Sequence, residues 1–224
     1  MHKIRLRFSK TDTLRFIGHL DFLRVVQQTI RRAALPVAFS QGFNPHILIS
    51  FALPLPLGMA SLNDYADLTL TDEIPFSEIT ERLNAAAPVG LTINAAYPAE
   101  DKAASVVCVA DYVIENKTAG VSPPPPPQGA LPLDPILDGI LRKESIIIAK
   151  KTKKGVKDTD IRGDILDLKC DGEGVIMRLS AGSARFLNPL TVAGLIFPDA
   201  PPTAVDITRA ELYRQDENGE SVPL

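Results

Sequence analysis

The chain opens on strict alternation. Ile4, Leu6 and Phe8 fall on one side of an extended segment and Lys3, Arg5 and Arg7 on the other, the pattern of a half-buried strand with a basic outer face. A polar turn over 9–13 follows, and Leu14, Phe16 and Ile17 continue as extended chain to Gly18. The period then lengthens: Leu23, Val26, Ile30 and Ala33 with Ala34 form one stripe, and Arg24, Gln27, Gln28 and Arg31 another. This spacing predicts a helix over 19–35, stopped by Pro36. Short strands are expected at 37–40 and 47–51, on either side of a turn in which Gly42 and Asn44-Pro45 supply the turn chemistry. Segment 53–58 is proline-rich and irregular, and 65–70 alternates again. Pro75 opens a helix carrying Phe76, Ile79 and Leu83 that ends at Pro88, and 91–95 reads as a closing strand.

The second half repeats this order more weakly. It reads as a strand at 106–115, a stiff loop at 119–131 holding five consecutive prolines, and a helix at 134–141 with Pro135 in its first turn. A strand at 146–150 leads to a lysine-rich hairpin tip, then strands at 161–169 and 175–179. Asn188 and Pro189 start a helix that runs to 197, and 205–213 is a last strand. The expected fold is α+β: two tandem ferredoxin-like (βαββαβ) halves, the first with a hairpin inserted around 40–58. Their expected bounds are 1–98 and 104–215, followed by a flexible tail at 216–224.

Composition narrows the class. At 224 residues and 45% hydrophobic the chain can bury a large core, yet it has no apolar run long enough to cross a bilayer. The opening MHKIRLRFSK lacks the apolar stretch of a signal peptide, which points to the cytoplasm. Cys108 and Cys170 are too few for a disulfide framework and lack the spacing of a zinc or iron–sulfur site, so they read as free, half-buried thiols. Net charge is −3, unevenly spread: residues 1–46 hold eight cations against two acids, +6, which leaves −9 for the remainder. A positive lobe on an acidic chain fits an anionic partner; it equally fits neutralisation of the chain's own acids.

The densest chemistry lies in 16–58. His19 begins the helix and can serve as a base or simply cap it; Asp21 stands three residues before Arg24, the spacing of a surface ion pair. Arg31 and Arg32 exceed what a helix end requires, and guanidinium groups suit phosphate or carboxylate. In the turn, Gly42 and Asn44 shape a loop that presents Ser40, Gln41 and His46, and Phe43 is counted with them among the candidate binding residues. A second basic element gathers Lys150, Lys151, Lys153, Lys154 and Lys157 around Gly155, an arrangement able to straddle a nucleic-acid backbone or to stand as a solvated loop. Asp158, Asp160, Asp164 and Asp167 read as the polar face of a strand and its entry rather than a magnesium site, and no metal or cofactor is expected. A phosphate-binding glycine loop, a zinc signature and a nucleophile elbow are all absent from the sequence.

Three segments carry a resemblance: LRFIGHLDFLRVVQQTIRRAALP, SQGFNPHILISFALPLPLG and KKTKKGVKDTDIRGDI. They resemble the bacterial radical-SAM-associated proteins of unknown function, a domain found as a separate chain or fused behind a radical SAM enzyme. The resemblance covers most of the chain but not the polyproline loop or the acidic tail. It implies a radical SAM enzyme as a separately encoded partner. The chain itself lacks the three closely spaced cysteines that such an enzyme needs for its cluster. The expected function is a non-catalytic substrate-recognition subunit for RNA or a ribosome-related particle. Two alternatives stand beside it. One is a metal-independent endoribonuclease, by analogy of fold, with His19 and His46 as acid and base. The other is a small-molecule binding domain lidded by 40–58.

Overall fold

The computed structural model describes residues 1–116, 133–152, 155–171, 174–199 and 205–224, and it leaves aside the side chains of Asn116, Lys151 and Thr152. The expected proline loop at 119–131 lies outside the described residues, as do Lys153 and Lys154. The chain is a mixed α+β protein in two compact units: Met1–Cys108 with Thr208–Leu224, and Val109–Ile207.

The first unit runs β1 (His2–Lys10), α1 (His19–Arg32), β2 (Ile49–Phe51), β3 (Ala60–Leu70), α2 (Phe76–Ala86), β4 (Leu91–Pro98) and a single turn α3 (Ala103–Val106). Its strands lie in the order β4-β1-β3-β2 with each pairing antiparallel. Alternation along β1 sends Ile4, Leu6 and Phe8 into a core with Phe22, Val26 and Ile30 of α1 and Ile79 and Leu83 of α2. This inward face is what the helical and strand periods encode. Residues expected to be extended before Gly18 instead wind into a 3-10 turn over Asp12–Phe16. The reason is tertiary: Thr11 donates its N–H to Gly90 O at 2.8 Å, and Gly90 sits at φ +90° where a Cβ would stand 2.7 Å from Thr11 O. α1 stops at Arg32 rather than near 35, because Ala34 turns left-handed at φ 49° before Pro36. The strand expected at 37–40 is reduced to two isolated bridges, Val37 to Leu70 and Phe39 to Ile47.

The basic outer face expected for β1 is exposed only in part: Lys3 is exposed, Arg7 half-buried and Arg5 buried. Arg5 is buried and donates to Asp67 Oδ1 (2.8 Å), Asp101 Oδ1 (2.7 Å) and Asp101 O (3.0 Å), while Asp67 Oδ2 accepts the Ala103 N–H. The arginine thereby fastens the 101–106 segment to the sheet.

The second unit contains β5 (Val107–Asn116, its first two residues in the first unit), α4 (Leu133–Leu141), β6 (Ile147–Thr152), β7 (Gly155–Asp160), β8 (Ile165–Asp171), β9 (Gly174–Ser180) and α5 (Pro189–Ile196). β9 is flanked by β5 and β8, both antiparallel to it, whereas among the described residues β6 and β7 pair only with each other as a separate two-stranded ribbon. Gly174 is required where it stands, since a Cβ there would lie 2.7 Å from Ile114 O. Asn188 caps α5 as its sequence position predicts, accepting the Leu190 N–H at 3.1 Å with Pro189 in the first turn. Both thiols are free and half-buried; a hydrogen bond with Asp134 and burial push Cys170 up to about 11, and burial raises Cys108.

The chain then returns to the first unit. β10 (Val205–Gln215) lies parallel to β3 through Thr208 and Arg209, and β11 (Ser221–Pro223) pairs back onto β10. The tail at 216–224 is therefore a hairpin and not a frayed end. Asp216 Oδ1 accepts the N–H groups of Asn218 and Glu220, Gly219 supplies the positive φ, and Leu224 is buried with its carbonyl accepting the Tyr97 hydroxyl. Because 208–224 groups with the first unit, the divisions 1–98 and 104–215 are not those of the compact units; the partner of β10 lies too far away in sequence for a local pattern to name it.

Two arginines bind α1 and α2 reciprocally. Arg32, ending α1, donates to Ala86 O at the end of α2 (2.8 and 3.2 Å); Arg82 of α2 donates to Ala33 O (2.9 Å) and Ala34 O at the end of α1. Each satisfies carbonyls that a helix end leaves without intrahelical partners. Arg82→Ala is expected to cost about 1–2 kcal/mol and to lower the melting temperature by about 2–8 °C. Arg31→Ala should leave it unchanged in the same thermal melt.

Candidate functional site

β1 and α1 bring the first cluster together at the start of the helix. Gly18 is the N-cap and offers no side-chain cap, so His19 does not cap the helix; its ring instead stands edge-on to Phe51, with centroids 5.3 Å apart. Phe8, Phe22 and Phe51 pack around one another at 5.6–5.8 Å. Beside them a cavity of about 10 Å³ is lined by Lys10, His19 and Asp64 together with Phe22, Phe51 and Leu55. That is the room of one water molecule.

The polar residues of this cluster are buried. Lys10 is 1% exposed, with its ammonium 3.1 Å from Ile17 O and 4.8 Å from the centre of the Phe22 ring. Asp64 is bound by Arg209 of β10 at 2.5 Å, and Arg209, wholly buried, also donates to Leu53 O at 2.9 Å. Burial pushes the Asp64 carboxyl up despite the arginine, and burial pulls the Lys10 ammonium down. In the sequence Lys10 counts only toward the eight cations of residues 1–46, and no motif there singles out Asp64 or Arg209. A signal was present: Lys10 falls in phase with Ile4, Leu6 and Phe8, and Arg209 in phase with Ile207.

The second cluster is the loop 40–46. Ser40 Oγ and His46 Nδ1 are 2.8 Å apart, the His46 N–H reaches Ser40 Oγ at 3.1 Å, and the Ser40 N–H reaches His46 O at 2.9 Å. Inside this clasp Gly42 takes φ +120°, Gln41, Asn44 and Pro45 are exposed, and Phe43 projects fully into solvent. A cleft of about 240 Å³ adjoins the loop, lined by His46, Ile47, Ile49, Lys3, Lys102 and Asp67 among others. Arg5 occupies the carboxylates of Asp67 and Asp101, whereas Lys3 and Lys102 have no ion pair among the described residues.

The remaining candidates fall elsewhere. His19 and His46 line different cavities with no residue in common, so the structure does not bring them to one site. Asp21 and Arg24 form an exposed pair at 2.7 Å. Arg31 is exposed, and Arg32 is committed to the end of α2; neither lines a cavity with His19 or with the loop. On the ribbon, Lys150 stands directly opposite Lys157 and both are exposed. The side chain of Lys151 lies outside the described residues, as do Lys153 and Lys154 entirely. Of the acidic series, Asp160 accepts the N–H groups of Ile146 and Arg162, Asp164 pairs with Arg185, and Asp167 pairs with Lys169, each of them separately engaged.

A family model described as an uncharacterized protein conserved in bacteria (DUF2344) matches residues 3–189. No curated protein matches the chain. Among solved structures, the crystal structure of an unknown protein from Galdieria sulphuraria is similar over 99% of this chain and 98% of that one, at 11% identity and a TM-score of 0.28.

The buried lysine generates a pH test. Its folded pKa lies below its unfolded value of 10.5, so between the two the unfolded chain binds more protons at this group, and the contribution of Lys10 to stability rises with pH up to about 10.5. Chemical denaturation at a series of alkaline pH values should show this contribution in the wild type on top of the opposite drift from Cys108, Cys170, Tyr65 and Tyr97, whose raised folded pKa values cost stability in the same range. Lys10→Met should lack it.

Proposed function

The chain belongs to this family of uncharacterized bacterial proteins, and we propose that it is a recognition subunit that binds RNA, or the RNA of a ribonucleoprotein, for a separately encoded radical SAM enzyme. The observation that carries the RNA reading is the register of the β6–β7 ribbon, which holds Lys150 opposite Lys157 on exposed strands that, among the described residues, pair only with each other. Like charges placed directly across a strand pair repel, and a bound phosphate backbone relieves the repulsion. Such contacts fix position and read no sequence, which suits a subunit that presents a substrate.

The radical SAM partner rests on the resemblance of the segments around His19, Gly42 and Gly155. With only Cys108 and Cys170 in the sequence, the cluster chemistry belongs to that partner. We also class the first unit as ferredoxin-like on its β4-β1-β3-β2 order and take the second half as a copy of it, interrupted by the ribbon.

Binding of a labelled single-stranded RNA, followed by fluorescence anisotropy over a salt series, tests the proposal. The double variant Lys150→Ala with Lys157→Ala should flatten the log–log salt slope by about 1.4, at about 0.7 per phosphate contact on a single strand. An unchanged slope would remove the ribbon from the interface.

A further inference from the structure

Phe43 is an anomaly that the lysine ribbon does not absorb. A large aromatic ring fully in water forgoes the stabilisation that burial would bring. A chance exposure would be unremarkable on a loose loop, but this loop is held shut by three hydrogen bonds between Ser40 and His46 and stiffened by Pro45. A rigid loop that holds an aromatic ring outward loses little conformational freedom when the ring is covered.

The surroundings decide what covers it. The ring's neighbours in the loop are Gln41, Gly42, Asn44 and Pro45, all exposed, so Gln41 and Asn44 offer amide donors and acceptors beside it. At the end of the loop His46 opens onto the cleft of about 240 Å³, whose cations Lys3 and Lys102 are without ion pairs among the described residues while Arg5 answers its carboxylates. A flat aromatic face, amides beside it in the loop and cations in the cleft that His46 adjoins match the three parts of a nucleotide: a base face to stack, a base edge to hydrogen-bond, and a phosphate to neutralise.

We propose that the loop 40–46 is a platform for one unpaired nucleobase, with Phe43 stacking on the base, Gln41 and Asn44 facing its edge, and Lys3 and Lys102 holding the adjacent phosphate. The proposal rests on the RNA reading above and deepens it: the substrate class becomes RNA with an unstacked base, because a base inside a duplex has both faces covered.

The chain contains no tryptophan, so Phe43→Trp introduces a single indole reporter. Titrated with a single-stranded RNA 12-mer, that variant should be quenched as a base stacks on it, and titration with the same sequence as a blunt duplex should not quench it. Phe43→Ala should weaken single-strand binding roughly 5- to 150-fold, leave the salt slope untouched because no charge is removed, and melt as the wild type does. Lys3→Ala with Lys102→Ala should instead lower the slope. If Phe43→Ala binds as tightly as the wild type while Phe43→Trp stays unquenched, the platform is overturned and the ribbon reading survives. If the wild type binds no single-stranded RNA, both fall together. Equal quenching by duplex and single strand would overturn the unpaired-base specificity.

Discussion

The contact between Arg209 and Asp64 is the constraint on which the first unit turns. It joins residues 145 positions apart in sequence, seats β10 beside β3, and lies with both partners out of solvent. A buried ion pair of this kind adds little over a well-packed apolar pair. Removing one partner is another matter, because it leaves an uncompensated charge in a low-dielectric interior. Lys10 sharpens the constraint. Lys10 and Asp64 line one small cavity beside His19 and the packed rings of Phe8, Phe22 and Phe51, with two cations acting on one carboxylate.

Much of the element order was legible because it depends on local period. The α1 stripe, the alternation of β1, the proline-opened α2 and the Asn188 cap are each written within one segment and need no distant partner. What was not legible had a distant cause. Residues 12–16 wind into a 3-10 turn because Gly90 accepts the Thr11 N–H, and 208–224 joins the first unit because its pairing partner is β3. Charge was the least readable property. Arg5 and Lys10 counted toward a basic surface when only their positions were known, yet each is buried, one within a net of aspartates and the other over a phenylalanine ring.

The candidate residues divide along the same line. Arg32 was read for its affinity for anions, and the anionic groups it meets are carbonyl oxygens at the end of α2. Arg162 does the same for α4, spreading over Leu141 O and Ile165 O. Guanidinium groups in this chain repeatedly serve helix ends and strand turns, a use that sequence alone cannot separate from ligand binding, since both exploit the same planar set of donors. The turn of the loop 40–46 was legible because Gly42 and Asn44-Pro45 lie within it, whereas the mutual bonding of Ser40 and His46 and the outward ring of Phe43 were not.

The return of the chain to its first unit bears on how the protein is made. A ribosome emits Asp64 and Lys10 early and Arg209 only after the whole of the second unit has emerged. Until then the nascent first unit lacks β10, and Asp64 has no arginine to answer it. Domains ordinarily fold as units from the N-terminus onward during synthesis. Here the N-terminal unit is incomplete until 208–224 has been made, and a fragment cut after residue 108 would lack the strand that completes it.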